Sequence, residues 1–184
     1  HWIPELSRDH RVVVVEMKGF GDAPKPRDDR YSPLDQAELL YRMILQQGLM
    51  GLTLIGHSLG GGIALLVALR LLKEDPLRLK RMVVVAGTAF PQPISPWIRL
   101  AARAGIGPLL LKLLPARMVM RKALELAYAH PARVTRSQVE AYAELLRTPE
   151  GRYALVQSAR QLIPPGIDEA VGRLGEIHVP TLLL

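Results

Sequence analysis

The chain has 184 residues, 49% hydrophobic and 22% charged, with a formal net charge of +7. That length fits one ordinary domain with a substantial core, and that balance excludes an intrinsically disordered chain. The absence of cysteine excludes disulfides and thiolate metal sites, and no apolar run reaches the eighteen or so residues that span a bilayer.

In chain order, His1–Arg11 lacks the basic start and apolar core of a signal peptide, so a cytoplasmic location stands as the default. The start at His1 and the stop at Leu184 lead to the expectation that both ends are cut. Val12–Val15, Leu52–Ile55 and Met82–Ala86 are short, unbroken, β-branched-rich runs, expected as strands buried on both faces of a parallel sheet.

Helical patterns lie between them. The first runs from Pro33 to Gln47, with Ser32 as N-cap, Asp35 as capping-box acid and Gly48 as stop. Its apolar stripe is Leu34, Ala37, Tyr41, Ile44 and Leu45. The second, Gly61 to Lys73, is apolar almost all round and is expected to be buried. Strand alternating with helix predicts an α/β fold, a mostly parallel sheet flanked by helices.

From residue 90 to 172 only helices and breakers are found, an all-helical insertion of roughly 80 residues. Ser95-Pro96 opens a helix that Gly105 closes. Pro115–Ala129 carries Val119, Ala123, Leu126 and Ala127 on one face. Thr135 and Gln138 form a capping box before Val139, Tyr142, Ala143 and Leu146, and Thr148-Pro149 opens a helix that Pro164–Gly166 stops. The strand texture returns at Ile177–Leu184. The expected organisation is a partial core at 1–89, a helical cap at 90–172 and a return to the core at 173–184.

Between Arg99 and Arg136 stand eight Lys or Arg residues against one acid, Glu125. No aromatic residues interleave them as a base-stacking surface requires, so nucleic acid is not an expected partner. The apolar and basic stretch Trp97–Leu124 admits contact with an anionic membrane surface, but a packed helical cap with a solvated basic rim is the preferred reading.

The chemistry centres on Gly56-His57-Ser58-Leu59-Gly60. An apolar strand runs straight into this turn and a helix leaves it directly, the context that separates a nucleophile elbow from a chance G-x-S-x-G. Ser58 is the candidate nucleophile, the Leu59 backbone N–H a candidate oxyanion donor, and Gly56 and Gly60 are read as relieving the tight turn. Gly61 and Gly62 let the departing helix pack closely on the sheet.

The stretch "IGHSLGGGIAL" resembles the nucleophile elbow of α/β-hydrolase-fold enzymes. "VVVVEMKGFGDA" resembles the family's strand and Asp-x-Arg-Gly-x-Gly-x-Ser loop, with Glu16, Lys18 and Ala23 departing from it. "HVPTLLL" resembles the strand that follows the family's helical cap. The resemblance implies a serine hydrolase of the esterase, lipase or carbon–carbon hydrolase kind, acting through an acyl-enzyme on Ser58 on a small hydrophobic acyl or ester substrate. It implies no metal and no organic cofactor.

It also implies a second oxyanion donor before His1, and an acid and a histidine beyond Leu184, so the chain alone is expected to be inactive. His57, His178, His130 and His10 are weighed as base and set aside for their places in the fold. Asp22 and Asp168 are weighed as acid, and nothing in their spacing requires it; neither role is assigned. The alternative is a non-catalytic relative that uses the same cleft for a ligand or the cap for a partner protein. Oligomeric state is left open.

Overall fold

The computed structural model describes residues 2–88, 94 and 96–184, with side chains except at Trp97. A short helix α1 (Ile3–Leu6) and a long loop lead to α2 (Pro33–Gln46), β1 (Leu52–His57), α3 (Leu59–Glu74) and β2 (Leu79–Val85). Helices α4 (Pro96–Ala102), α5 (Ile106–Leu113), α6 (Ala116–Ala127), α7 (Arg136–Arg147), α8 (Pro149–Arg160) and α9 (Ile167–Gly172) follow, before β3 (Thr181–Leu183). The sheet runs β1-β2-β3 with both pairings parallel; Gly56 stands opposite Val84, and Val84 opposite Leu183. An α/β fold with helices beside a parallel sheet is therefore observed.

Helix α2 forms because both its ends are closed by sequence. The Ser32 hydroxyl accepts the Asp35 N–H at 3.1 Å, and the Asp35 carboxylate accepts the Ser32 N–H at 3.1 Å. At the other end Gly48 takes φ 58°, and the Leu49 N–H reaches back to the Ile44 carbonyl at 3.1 Å. Ala37, Tyr41 and Ile44 are buried against α3, whose Ile63, Ala64, Val67, Ala68 and Leu71 join Met82 and Val84 of β2 in the first apolar cluster. Burying the isoleucine, valine, leucine and methionine side chains among these stabilises by about 1.5–3 kcal/mol each.

A second cluster, Leu111, Met120, Ala143, Leu146 and Val156, holds α5 to α8 together and shares no residue with the first. Helix α8 also meets the loop before α2. There the Tyr31 N–H donates to Gln161 Oε1 at 3.0 Å, the Tyr153 hydroxyl donates to Asp29 Oδ1 at 2.6 Å, and the Tyr31 and Tyr153 rings stack edge to face with centroids 5.9 Å apart. Burial, then the nearby Asp28 carboxylate, pushes the Tyr31 phenol up to about 12.

Several expectations are corrected. Val12–Val15 is not a strand: no backbone among the described residues pairs with it, and Val13–Val15 are exposed. On α2, Leu34 and Leu45 face outward while Gln36 is buried, its amide donating to the Lys18 carbonyl at 2.9 Å. On α6 the inward residues are Met120 and Leu124 rather than Ala123 and Leu126, and on α7 Tyr142 is exposed. Helices α5 and α9 were not expected, because Gly105 and Gly166 read as stops yet each stands as an N-cap. The proposed cap at Ser95 lies outside the described residues.

Candidate active site

Strand β1 delivers the chain into Ser58, and α3 leaves from Leu59. Ser58 sits at φ 51°, ψ −121°, a conformation non-glycine residues rarely adopt, at a strain of about 1–3 kcal/mol. The surroundings fix it there. Its N–H donates to the Val85 carbonyl at 2.9 Å, and its carbonyl accepts the Gly61 N–H at 2.9 Å, the Thr88 N–H at 3.2 Å and the Gly62 N–H at 3.3 Å.

The loop after β2 thus closes on the turn from the neighbouring strand. Ala86 of that loop itself takes φ 45°, and its N–H is held by the Leu184 carbonyl at 2.8 Å. Sequence reasoning overlooked Ala86 and Thr88; the available signal was Gly87, a glycine directly after a strand.

The glycines divide unevenly. A Cβ at Gly56 would lie 2.3 Å from the Gly60 carbonyl oxygen, so Gly56 is sterically obliged. A Cβ at Gly60 would meet nothing within 4 Å, which corrects the elbow-shaping role expected of its missing side chain. It is the Gly60 backbone that crowds Gly56. Cβ atoms at Gly61 and Gly62 would lie 2.8 Å from the Gly87 Cα and 2.7 Å from the Thr88 carbonyl oxygen. These two carry the close approach of α3 to the β2 loop.

The Ser58 side chain is exposed and makes no capping bond to α3, although it holds the N-cap position. Among the described residues its hydroxyl has no hydrogen-bond partner, and neither has the Leu59 N–H. That amide belongs to the first turn of α3, where unpaired N–H groups and the helix dipole favour negative charge. A hydroxyl and such a donor at one helix start are the parts needed to attack a carbonyl and hold the resulting oxyanion.

The remaining candidates are scattered. His57 ends β1 beside Ser58 and is exposed. His178 precedes β3, so it lies at the amino end of a parallel sheet whose carboxyl end carries Ser58. His10 and His130 are exposed outside the sheet. The Asp22 N–H donates to Glu16 Oε2 at 2.8 Å, and Asp168 lies in the first turn of α9.

Glu16 and Lys18 are structural. Lys18 Nζ contacts Asp28 Oδ1 at 2.6 Å and the Arg30 carbonyl at 2.8 Å, and this hydrogen bond from Lys18 holds the Asp28 carboxyl below its ordinary value. Among the described residues no group of three or more His, Cys, Asp or Glu side chains is placed to hold a metal ion.

A family model described as the alpha/beta hydrolase fold matches residues 1–142. The chain belongs to the alpha/beta hydrolase fold family. Within that family it is similar to a 2-hydroxymuconate semialdehyde hydrolase of Pseudomonas putida, at 28% identity over 176 residues, covering 94% of this chain and 57% of that protein. A protein of the same name from Pseudomonas sp. (strain CF600) is 37% identical over 95 residues, 48% of this chain and 31% of its own. A solved alpha/beta hydrolase fold protein from Burkholderia ambifaria superposes with a TM-score of 0.78 at 22% identity, covering 98% of this chain and 64% of that one. The chain therefore spans about half or less of the length of these two curated relatives.

Proposed function

We propose that this alpha/beta hydrolase fold chain carries the nucleophile of a serine hydrolase. The Ser58 hydroxyl oxygen attacks an ester's acyl carbon, the ester C–O bond breaks and the alcohol leaves with the serine proton. Water then cleaves the acyl-enzyme to the free acid and Ser58, while the Leu59 N–H stabilises the oxyanion. One observation carries this reading: an N-cap serine held at positive φ, with its hydroxyl kept out of the cap. Helices α4 to α9 serve as the cap over the cleft, and an ester of a small hydrophobic acid is the first substrate class. The name shared by two relatives supports a second class, small acids that bear a further carbonyl group.

The test is labelling of the full-length protein with a fluorophosphonate, followed by peptide mass spectrometry. Adduct on Ser58, with hydrolysis of p-nitrophenyl esters lost in Ser58→Ala, supports the reading. Ester turnover retained in Ser58→Ala removes it. The alternative, a non-catalytic ligand- or partner-binding relative, draws on the lack of any acid or base bonded to the Ser58 hydroxyl among the described residues. Failure of labelling with folding intact would favour it.

A further inference from the structure

We propose that the outer face of α5 and α6 is a docking surface for an anionic lipid bilayer. The preferred reading of the sequence was a packed cap with a solvated basic rim, and the exposure of α5 is what argues otherwise. Helix α5 turns Gly107 and Leu111 inward, onto the Met120, Ala143, Leu146 and Val156 cluster. Leu110 is half-buried, and three other apolar residues stay in water: Ile106 is 39% exposed, Leu109 54% and Leu113 68%. These three recur at the i, i+3, i+7 spacing of a single helix face.

Lys112 lies about 60° round the helix from Leu109, on the edge of that row. Helix α6 also exposes an apolar residue among cations: Met118 is 51% exposed, and Arg117, Arg121 and Lys122 are exposed on the same helix. Apolar side chains flanked by Lys and Arg match the interfacial zone of a membrane, where leucines enter the acyl boundary and cations meet headgroup phosphates.

Two further observations favour lipid. Beside α6 opens a groove of about 340 Å³, lined by Arg117, Arg121 and Arg136 together with Met118, Val139 and Glu140. Guanidinium and apolar walls together suit a phosphate headgroup and its glycerol backbone. On α6 the cations already have acids beside them, Arg117 with Glu140 and Arg121 and Lys122 with Glu125 at 4.0 and 3.7 Å. Arg103, Lys112 and Arg136 have no acid within 4 Å among the described residues and are the cations left for headgroups. The sequence from Ile98 to Ala127 contains no aromatic residue, so a nucleic-acid strand would find no stacking platform. No helix among the described residues is long and apolar enough to cross a membrane, so the contact is one of docking from the side.

The inference does not depend on Ser58 being a nucleophile. Its test is co-sedimentation of the full-length protein with vesicles of phosphatidylcholine alone and of equimolar phosphatidylcholine and phosphatidylglycerol. The expected result is pelleting with the anionic vesicles only, reversed by high salt. Lys112→Gln should weaken the partition about five-fold, and Leu109→Ser with Leu113→Ser should weaken it further. Circular dichroism and Ser58 labelling, unchanged in every variant, separate this from a folding defect or a failure of the hydrolase reading.

Absence of pelleting with anionic vesicles overturns the proposal. So does unaltered pelleting of the double leucine variant accompanied by a raised KM for ester substrates, because the row would then line the substrate cleft. Pelleting equal for both vesicle compositions overturns the electrostatic basis of the site.

Discussion

Helices α2 and α3 both begin at a serine in the N-cap position, and the two serines do opposite things. Ser32 adopts φ −69°, ψ 159°, and its hydroxyl closes a reciprocal cap with Asp35. Thr135 does the same with Gln138 for α7, and the Thr148 hydroxyl accepts the Gly151 N–H to cap α8 one way, both from similar backbone angles. Ser58 adopts φ 51°, ψ −121° and its hydroxyl caps nothing. A cap residue must be extended for its oxygen to fold back over the first turn. The elbow forbids that, so α3 begins with an unused hydroxyl and an unpaired amide. What separates a serine that caps from one that does not is here backbone geometry rather than residue type.

The contrast can be broken by substitution. Ser58→Ala should remove turnover, by up to about a million-fold in kcat, while leaving the urea midpoint nearly unchanged because no cap bond is lost. A large stability loss in that variant would show that Ser58 does cap. Gly56→Ala should destabilise by about 1–3 kcal/mol in urea titration, since its Cβ has to displace the Gly60 carbonyl. An unchanged midpoint would mean that the turn opens freely. Ser32→Ala should lower stability by about 1 kcal/mol and leave kcat alone.

Ser58→Gly should instead raise stability, by up to about 1 kcal/mol, through relief of the positive φ offset by glycine's extra unfolded-state entropy. Stability would then move in opposite directions at the two helix starts. The smallest effect is on pH. Burial raises the Asp35 carboxyl, but hydrogen bonds from Ser32 and Arg30 outweigh it and hold the group below its ordinary value. A depressed folded-state pKa stabilises above the unfolded value and is lost as pH falls through the folded one. The urea midpoint should therefore fall below about pH 4, and less steeply in Ser32→Ala.

Both starts were legible in the sequence, for different reasons. Ser-Pro-x-Asp is a local pattern, and local hydrogen bonds formed it as written. Gly-x-Ser-x-Gly between an apolar run and an apolar helix likewise placed the elbow and the local need for Gly56, though the need for Gly61 and Gly62 came from the β2 loop, 26 residues away in sequence. Long-range contacts hid the rest. The Val12–Val15 run has strand composition, but a ladder needs a neighbour that composition cannot supply. Helix α5 was masked because its glycines and prolines read as breaks, and Leu126 and Tyr142 were misplaced because a period locates a face without saying which face is inward.

Two clusters that share no residue, joined through α8 by tyrosines, a glutamine and an aspartate, have a consequence for how such a molecule changes over evolutionary time. Polar seams tolerate small shifts that interlocked apolar packing does not. Insertions and trimmed helices can accumulate on the α5–α8 side of the seam while the strained serine on the sheet side keeps its geometry, so the two halves are free to diverge at different rates.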